Sequence, residues 1–205
     1  RDVVSGWKNV PFDGQILMRI INLSALTCLQ QSVMNFGILM VQGLVNSFGS
    51  VIMAAFAAAV KIDTFAYLPV QDFGTKQAFK MSILFSLVIS ALVFIFAAPL
   101  MGIFVDYSAQ DVIAAGVRYL RIEGSFYCGI GCLFLLYGYY RAVNHAEMSV
   151  VLTVISLGLR VALAYLFSGF IGVTGIWISI PIGWVLADIV GILYMSVEQK
   201  RLDIS

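Results

Sequence analysis

The sequence predicts an all-α integral membrane protein, a bundle of six transmembrane helices. Three observations carry that prediction. The 205-residue chain is 61% hydrophobic and 11% charged, where a soluble domain carries about 25% charge. A soluble core cannot cover that much apolar side chain, so the solvent must be lipid. The apolar runs are continuous rather than alternating, which is the pattern of helices and not of barrel strands. Yet Lys61 and Asp63 stand near the middle of one such run, V-I-M-A-A-F-A-A-A-V-K-I-D-T-F-A-Y-L-P over 51–69. A charge at the centre of a membrane helix costs roughly 2.5–3.5 kcal/mol on insertion scales. Two of them need a structural or functional reason.

The first 18 residues are mixed, with Pro11-Phe12-Asp13-Gly14 reading as a turn before the first span. No residue from Ile20 to Val60 is charged. As one helix that run would be about 60 Å long, twice the bilayer core. It must fold back, and Asn46-Ser47-Phe48-Gly49-Ser50 is the turn. The first span is thus placed at 20–46 and the second at 50–71. Residues 72–80 form a polar connection to a third span, 81–105, in which Pro99 lies near the end. A loop at 106–111 leads to a helix that starts amphipathic, with Arg118, Arg121 and Glu123, and becomes the fourth span at 122–140. Small residues Gly124, Ser125, Cys128, Gly129 and Cys132 let helices approach there. A short loop with the single histidine, His145, precedes the fifth span, 147–168. Ser168-Gly169-Phe170-Ile171-Gly172 turns the chain into the sixth, 173–196, with Pro181 and Gly183 expected to bend it.

An even number of spans puts both ends on one side. That side holds Arg1, Lys8, Arg19, Lys76, Lys80, Arg141, Lys200 and Arg201, against Arg118 and Arg121 opposite. The positive-inside rule therefore places both termini in the cytoplasm. The chain opens on Arg1 rather than Met and reads as a piece of something longer. A net charge of +1 gives no hint of nucleic acid. Cys28, Cys128 and Cys132 lie in apolar runs without a disulfide or zinc pattern.

Several residues could carry chemistry along a substrate or ion pathway. Lys61 and Asp63 cannot easily pair with each other, because residues two apart point about 200° apart on a helix. Each must find another helix or a hydrated cavity. Asp63 is a proton or cation site, with Lys61 its partner or a gate, or both are ion pairs that fix packing. If Asp63 faces a poorly hydrated pocket, transport should depend on pH in a way that Asp63→Asn removes. Arg160 and Asp188, on antiparallel helices and about 9 Å apart in depth, are a structural bridge or a coupling pair. Gln31, Asn35 and Gln42 fall on one face of the first span and hydrogen-bond either a substrate or a neighbouring helix. Tyr127 stacks on flat cations or packs. Glu123 with Arg121 reads as a solvated cluster near the interface. The sequence lacks enzyme signatures such as H-E-x-x-H, G-x-S-x-G or a phosphate-binding glycine loop. No cofactor is expected beyond a coupling ion.

Several segments resemble the multidrug and toxic-compound extrusion (MATE) transporters. They are L-Q-Q-S-V-M-N-F-G-I-L-M-V-Q-G-L-V-N-S-F-G (29–49), A-A-F-A-A-A-V-K-I-D-T-F-A-Y-L-P-V-Q-D-F-G (54–74), R-Y-L-R-I (118–122), G-L-R-V-A-L-A-Y (158–165) and G-I-W-I-S-I-P-I-G-W (175–184). The resemblance covers nearly the whole chain in order and corresponds to the last six of the family's twelve helices. It implies a cell-membrane antiporter that exchanges Na⁺ or H⁺ for a bulky, often cationic organic compound. This chain would then be the C-terminal lobe, and its main partner an N-terminal six-helix lobe not included in the chain. The resemblance also implies that Lys61 and Asp63 match an element of the family's eighth helix and Arg160 an arginine of its eleventh.

Two departures stand out. In the sodium-linked branch the first helix of this lobe carries a glutamate and the fourth an aspartate. Here the corresponding neighbourhoods hold Gln30 and Gln31, and Gly129 to Gly131. Coupling is therefore expected to rest on acids of the other lobe or on Asp63. A family segment after F-G is also missing, and a loop is expected between Gly74 and Thr75. Two rival readings stay open: a flippase for lipid-linked oligosaccharides of the same wider superfamily, and a non-transporting membrane scaffold or receptor.

Overall fold

Helices account for almost all of the ordered backbone in the computed structural model, which describes residues 14–71 and 76–202. Among the described residues there are eight helices and no strand. α1 runs Gly14–Asn46, six residues earlier than the first span was expected to begin. Ser47 and Phe48 N–H close a turn on Leu44 and Val45 carbonyls, and Gly49 takes a φ of +97°, a left-handed value that suits glycine. α2 is Ser50–Gln71. The expected insertion between Gly74 and Thr75, and most of the turn at Pro11–Gly14, lie outside the described residues.

The third and fourth spans are not single helices. Residues 81–105 divide into α3 (Lys76–Ile95) and α4 (Ala97–Phe104), bent by 76°. Pro99 is the reason. It has no N–H for the carbonyl of Ile95, four residues back, and its ring crowds that carbonyl. α3 accordingly ends at Ile95, and Pro99 falls in the first turn of α4, where proline is tolerated. The expected fourth span, 122–140, also contains a break: α5 (Gln110–Gly124) and α6 (Tyr127–Ala142) meet at 53° across Ser125 and Phe126. The freed carbonyls are occupied by serines. Ser125 Oγ donates to Arg121 O at 2.7 Å, and Ser90 Oγ of α3 donates to Gly124 O. A break whose backbone groups are met in this way is stable inside a membrane protein.

α7 (Ala146–Ile171) and α8 (Val173–Leu202) form the most closely packed pair, joined at Gly172 with φ +62°. α8 continues as helix through Pro181. A Cβ on Gly183 would lie 2.5 Å from the backbone oxygen of Ser156, so only glycine permits this approach. Among the described residues, three helices are long and apolar enough to cross a bilayer, or five if each bent pair is one span. The core is tied by an edge-to-face aromatic chain from α2 through α5 to α8. Phe56 and Tyr119 lie 5.5 Å apart, and Tyr119 and Trp177 lie 5.8 Å apart. Each contact is worth about 0.5–1.5 kcal/mol beyond area burial. Large apolar side chains such as Phe36, Phe65, Ile103 and Phe170 face outward, as hydrocarbon or a further protein surface requires.

Candidate functional site

Two carboxylates from different helices meet inside the bundle. Asp63 of α2 and Glu123 of α5 are each 3% exposed, and they interact directly with one another. Tyr119, one turn before Glu123 on the same face of α5, hydrogen-bonds both acids and is 1% exposed. Tyr127, the first residue of α6, donates its hydroxyl hydrogen to Asp63 Oδ1. Asp63 Oδ2 and Glu123 Oε1 are buried without a hydrogen-bond partner. Both acids sit on the wall of a cavity of about 420 Å³ that is also lined by Gln31 and Asn35 of α1 and Arg160 of α7. Arg160 acts on both acids through space. Its Nε is unpartnered, and the one ion pair within 4.0 Å among the described residues is His145–Glu147, at 3.0 Å on the surface.

This arrangement suits a small cation. Buried charge is tolerated only when paired or hydrogen-bonded. Here two neighbouring acids share the hydroxyls of Tyr127 and Tyr119 and the field of one guanidinium, with an open oxygen on each. A proton or a monovalent metal ion between them would relieve the repulsion and use both oxygens. Among the described residues no group of three His, Cys, Asp or Glu is placed to chelate a metal. A second cavity, about 450 Å³, lies between α1 and the start of α7. Arg19 reaches Asn144 there at 2.5 Å, and no buried acid faces it.

The residues singled out in the sequence are distributed unevenly. Gln31, Asn35, Asp63 and Arg160 come together at the cavity. Lys61 does not: it is exposed on the opposite side of α2, as the 200° rotation from Asp63 dictates. Gln42 is half-buried three turns beyond Gln31 and away from the cavity wall. Tyr127 is 3% exposed and absent from the cavity wall, so its ring has no face free for stacking. Arg160 and Asp188 do not pair. Gly183 of α8 packs against Arg160, and five residues further on the helix has turned about 140°. Asp188 therefore faces α6 at Gly129, with Oδ1 unpartnered.

Glu123 is the residue that the sequence reading misplaced as a solvated partner of Arg121. The missed signal was the same two-residue rotation that separates Lys61 from Asp63. Arg121 is exposed, so Glu123 points inward. Gln30, which shares no face with the amide stripe, is buried and accepts a 2.8 Å bond from Arg141 of α6.

Comparison with known proteins fits this geometry. Residues 72–166 match the family model MatE. A probable multidrug resistance protein, YpnP of Bacillus subtilis, is 28% identical over 198 aligned positions, covering 85% of this chain and 44% of its own length. A MATE crystallised with MaL6 superposes with a TM-score of 0.85 at 20% identity, covering 97% of this chain and 50% of that one. A MATE-family transporter of the MOP superfamily superposes in its outward-facing conformation (TM-score 0.84) and in its inward-facing one (0.80), each at 20% identity. The outward-facing match covers 96% of this chain and 49% of that one, the inward-facing match 97% and 51%. The chain has the fold of one half of a MATE transporter, a multi-pass membrane architecture. It spans about half the length of the relatives it matches.

Proposed function

We propose that this chain is the C-terminal lobe of a cation-coupled antiporter that exports bulky organic compounds across the cell membrane, with both of its ends in the cytoplasm. Asp63 and Glu123 hold the coupling cation, Na⁺ or H⁺. Gln31, Asn35 and Arg160 form the polar wall that meets the transported compound. A second six-helix lobe supplies the other wall. The observation that carries this reading is the pair of buried acids, each with an open oxygen, on the wall of a cavity between helices. Intramembrane acids facing a cavity mark ion pathways. The relatives' names as multidrug proteins support the export role.

The test is flux of a fluorescent organic compound in proteoliposomes bearing the full-length protein, driven by an imposed Na⁺ or H⁺ gradient. Asp63→Asn is expected to abolish gradient-driven flux while compound binding persists. Flux that survives this substitution undiminished overturns the reading.

A further inference from the structure

The second cavity, between α1 and the start of α7, has two charges of opposite sign on its wall. Arg19 belongs to α1 and Glu147 to the first turn of α7. Each stands where its helix enters apolar sequence. Arg19 is the last charged residue before the uncharged run from Ile20 to Val60, and Glu147 the last before the uncharged run from Met148 to Leu159. Both therefore lie at the level of lipid headgroups, at the same edge of the bundle. They do not pair with each other: among the described residues no ion pair within 4.0 Å joins them. Arg19 meets the neutral amide of Asn144 at 2.5 Å, and Glu147 meets His145 at 3.0 Å. Both charged side chains are exposed, and a space of about 450 Å³ opens between the two helices. The wall changes character with depth. Asn22 follows Arg19 on the cavity face of α1, while Leu23 and Leu26, one and two turns beyond Arg19 on that face, are half-buried and apolar.

We propose that this cavity holds the headgroup of an aminophospholipid, a phosphatidylethanolamine of the leaflet at which α1 begins. Arg19 and Asn22 donate to the phosphate oxygens, and Glu147 accepts from the ammonium group. The glycerol and the first acyl carbons lie along Leu23 and Leu26. One cation and one anion on the wall match one phosphate and one amine. An anionic glycerophospholipid has no amine to offer, and it leaves Glu147 facing a second negative group. A trimethylammonium group has no N–H to give, so Glu147 favours a primary amine over choline. Basic pockets between membrane helices at the cytoplasmic side bind lipid headgroups, and here the acid narrows the choice of lipid. The bound lipid bridges α1 to α7 beside the bond by which Arg19 already joins α1 to the loop before α7. This inference depends on the membrane setting alone and not on the antiport reading or the Asp63–Glu123 pair.

The experiment uses the full-length protein in detergent micelles. The probe is a phosphatidylethanolamine with a photoreactive diazirine near the start of one acyl chain. Tagged peptides are located by mass spectrometry. Unlabelled phosphatidylethanolamine, phosphatidylcholine and phosphatidylglycerol of the same acyl chains compete in separate arms. Tagging is expected along the cavity wall, in residues 18–26 and 144–150. One charge-assisted hydrogen bond to the amine should make unlabelled phosphatidylethanolamine about tenfold more effective as a competitor than the other two lipids. Glu147→Gln should abolish that preference while tagging persists. Arg19→Gln should weaken tagging about tenfold through loss of the phosphate bond. Leu26→Trp, which fills the apolar end of the cavity, should exclude the probe by a route that leaves both charges in place. Equal competition by the choline lipid, or a preference that survives Glu147→Gln, overturns the proposal. So does a lack of tagging at these residues, the result expected if another segment of the full-length chain occupies the cavity.

Discussion

Glu123→Gln is the most informative single substitution, because it leaves the shape of the buried pair and removes one of its two ionisable groups. Asp63 and Glu123 are side by side and each 3% exposed. For two unit charges about 4 Å apart at an effective dielectric of about 20, Coulomb's law gives about 4 kcal/mol. The attraction of the second carboxylate for a cation at that distance is of the same size, and it is the share of the binding free energy that Glu123 supplies. At 1.4 kcal/mol per decade, its loss weakens cation binding by up to about three orders of magnitude. The assay is the cation concentration that gives half-maximal gradient-driven flux in proteoliposomes of the full-length protein, for each candidate ion separately. The double variant Asp63→Asn, Glu123→Gln should be no worse than the poorer single variant, since the two act as one site. A half-maximal concentration unchanged in Glu123→Gln, or effects that simply add, would refute the pair as a shared site.

Three further predictions concern the scaffold. Gly183→Ala puts a methyl group 2.5 Å from the Ser156 carbonyl oxygen, and should destabilise the α7–α8 pair by about 1–3 kcal/mol; an unchanged midpoint of thermal unfolding would contradict the close approach. Pro99→Ala supplies the N–H that Ile95 O lacks, so the 76° bend should open and the amide at 99 become protected from hydrogen exchange. In the α4–α5 loop, the Ser108 N–H donates to Asp106 Oδ1 at 2.8 Å and holds that carboxyl below its ordinary range. A depressed carboxyl stabilises the folded loop above about pH 4 and loses that effect as pH falls through its folded value. Exchange at the Ser108 amide, corrected for its intrinsic pH dependence, should therefore lose protection below about pH 4, and Asp106→Asn should remove that transition.

Much of the fold was legible because lipid as solvent makes hydropathy decisive. The return at Asn46–Ser50 follows from an uncharged run too long for one crossing. Helix periodicity alone separates Lys61 from Asp63. The breaks at Phe96 and Ser125–Phe126 were not read as such. Pro99 carried a visible signal for the first, namely the unpartnered carbonyl four residues back. The second has no proline and depends on serine hydroxyls, one of which comes from α3, a separate helix.

The amino-acid sequence by itself determined the helical class, the membrane setting and the separation of Lys61 from Asp63 around their helix, because these depend on local composition and on a fixed rotation per residue. Only the tertiary structure decided which helix answers Asp63. Glu123 and Tyr127 are 60 and 64 positions away along the chain, and no periodicity within one helix fixes how it is turned against another. The same turning separated Arg160 from Asp188, which the depth estimate alone had brought together.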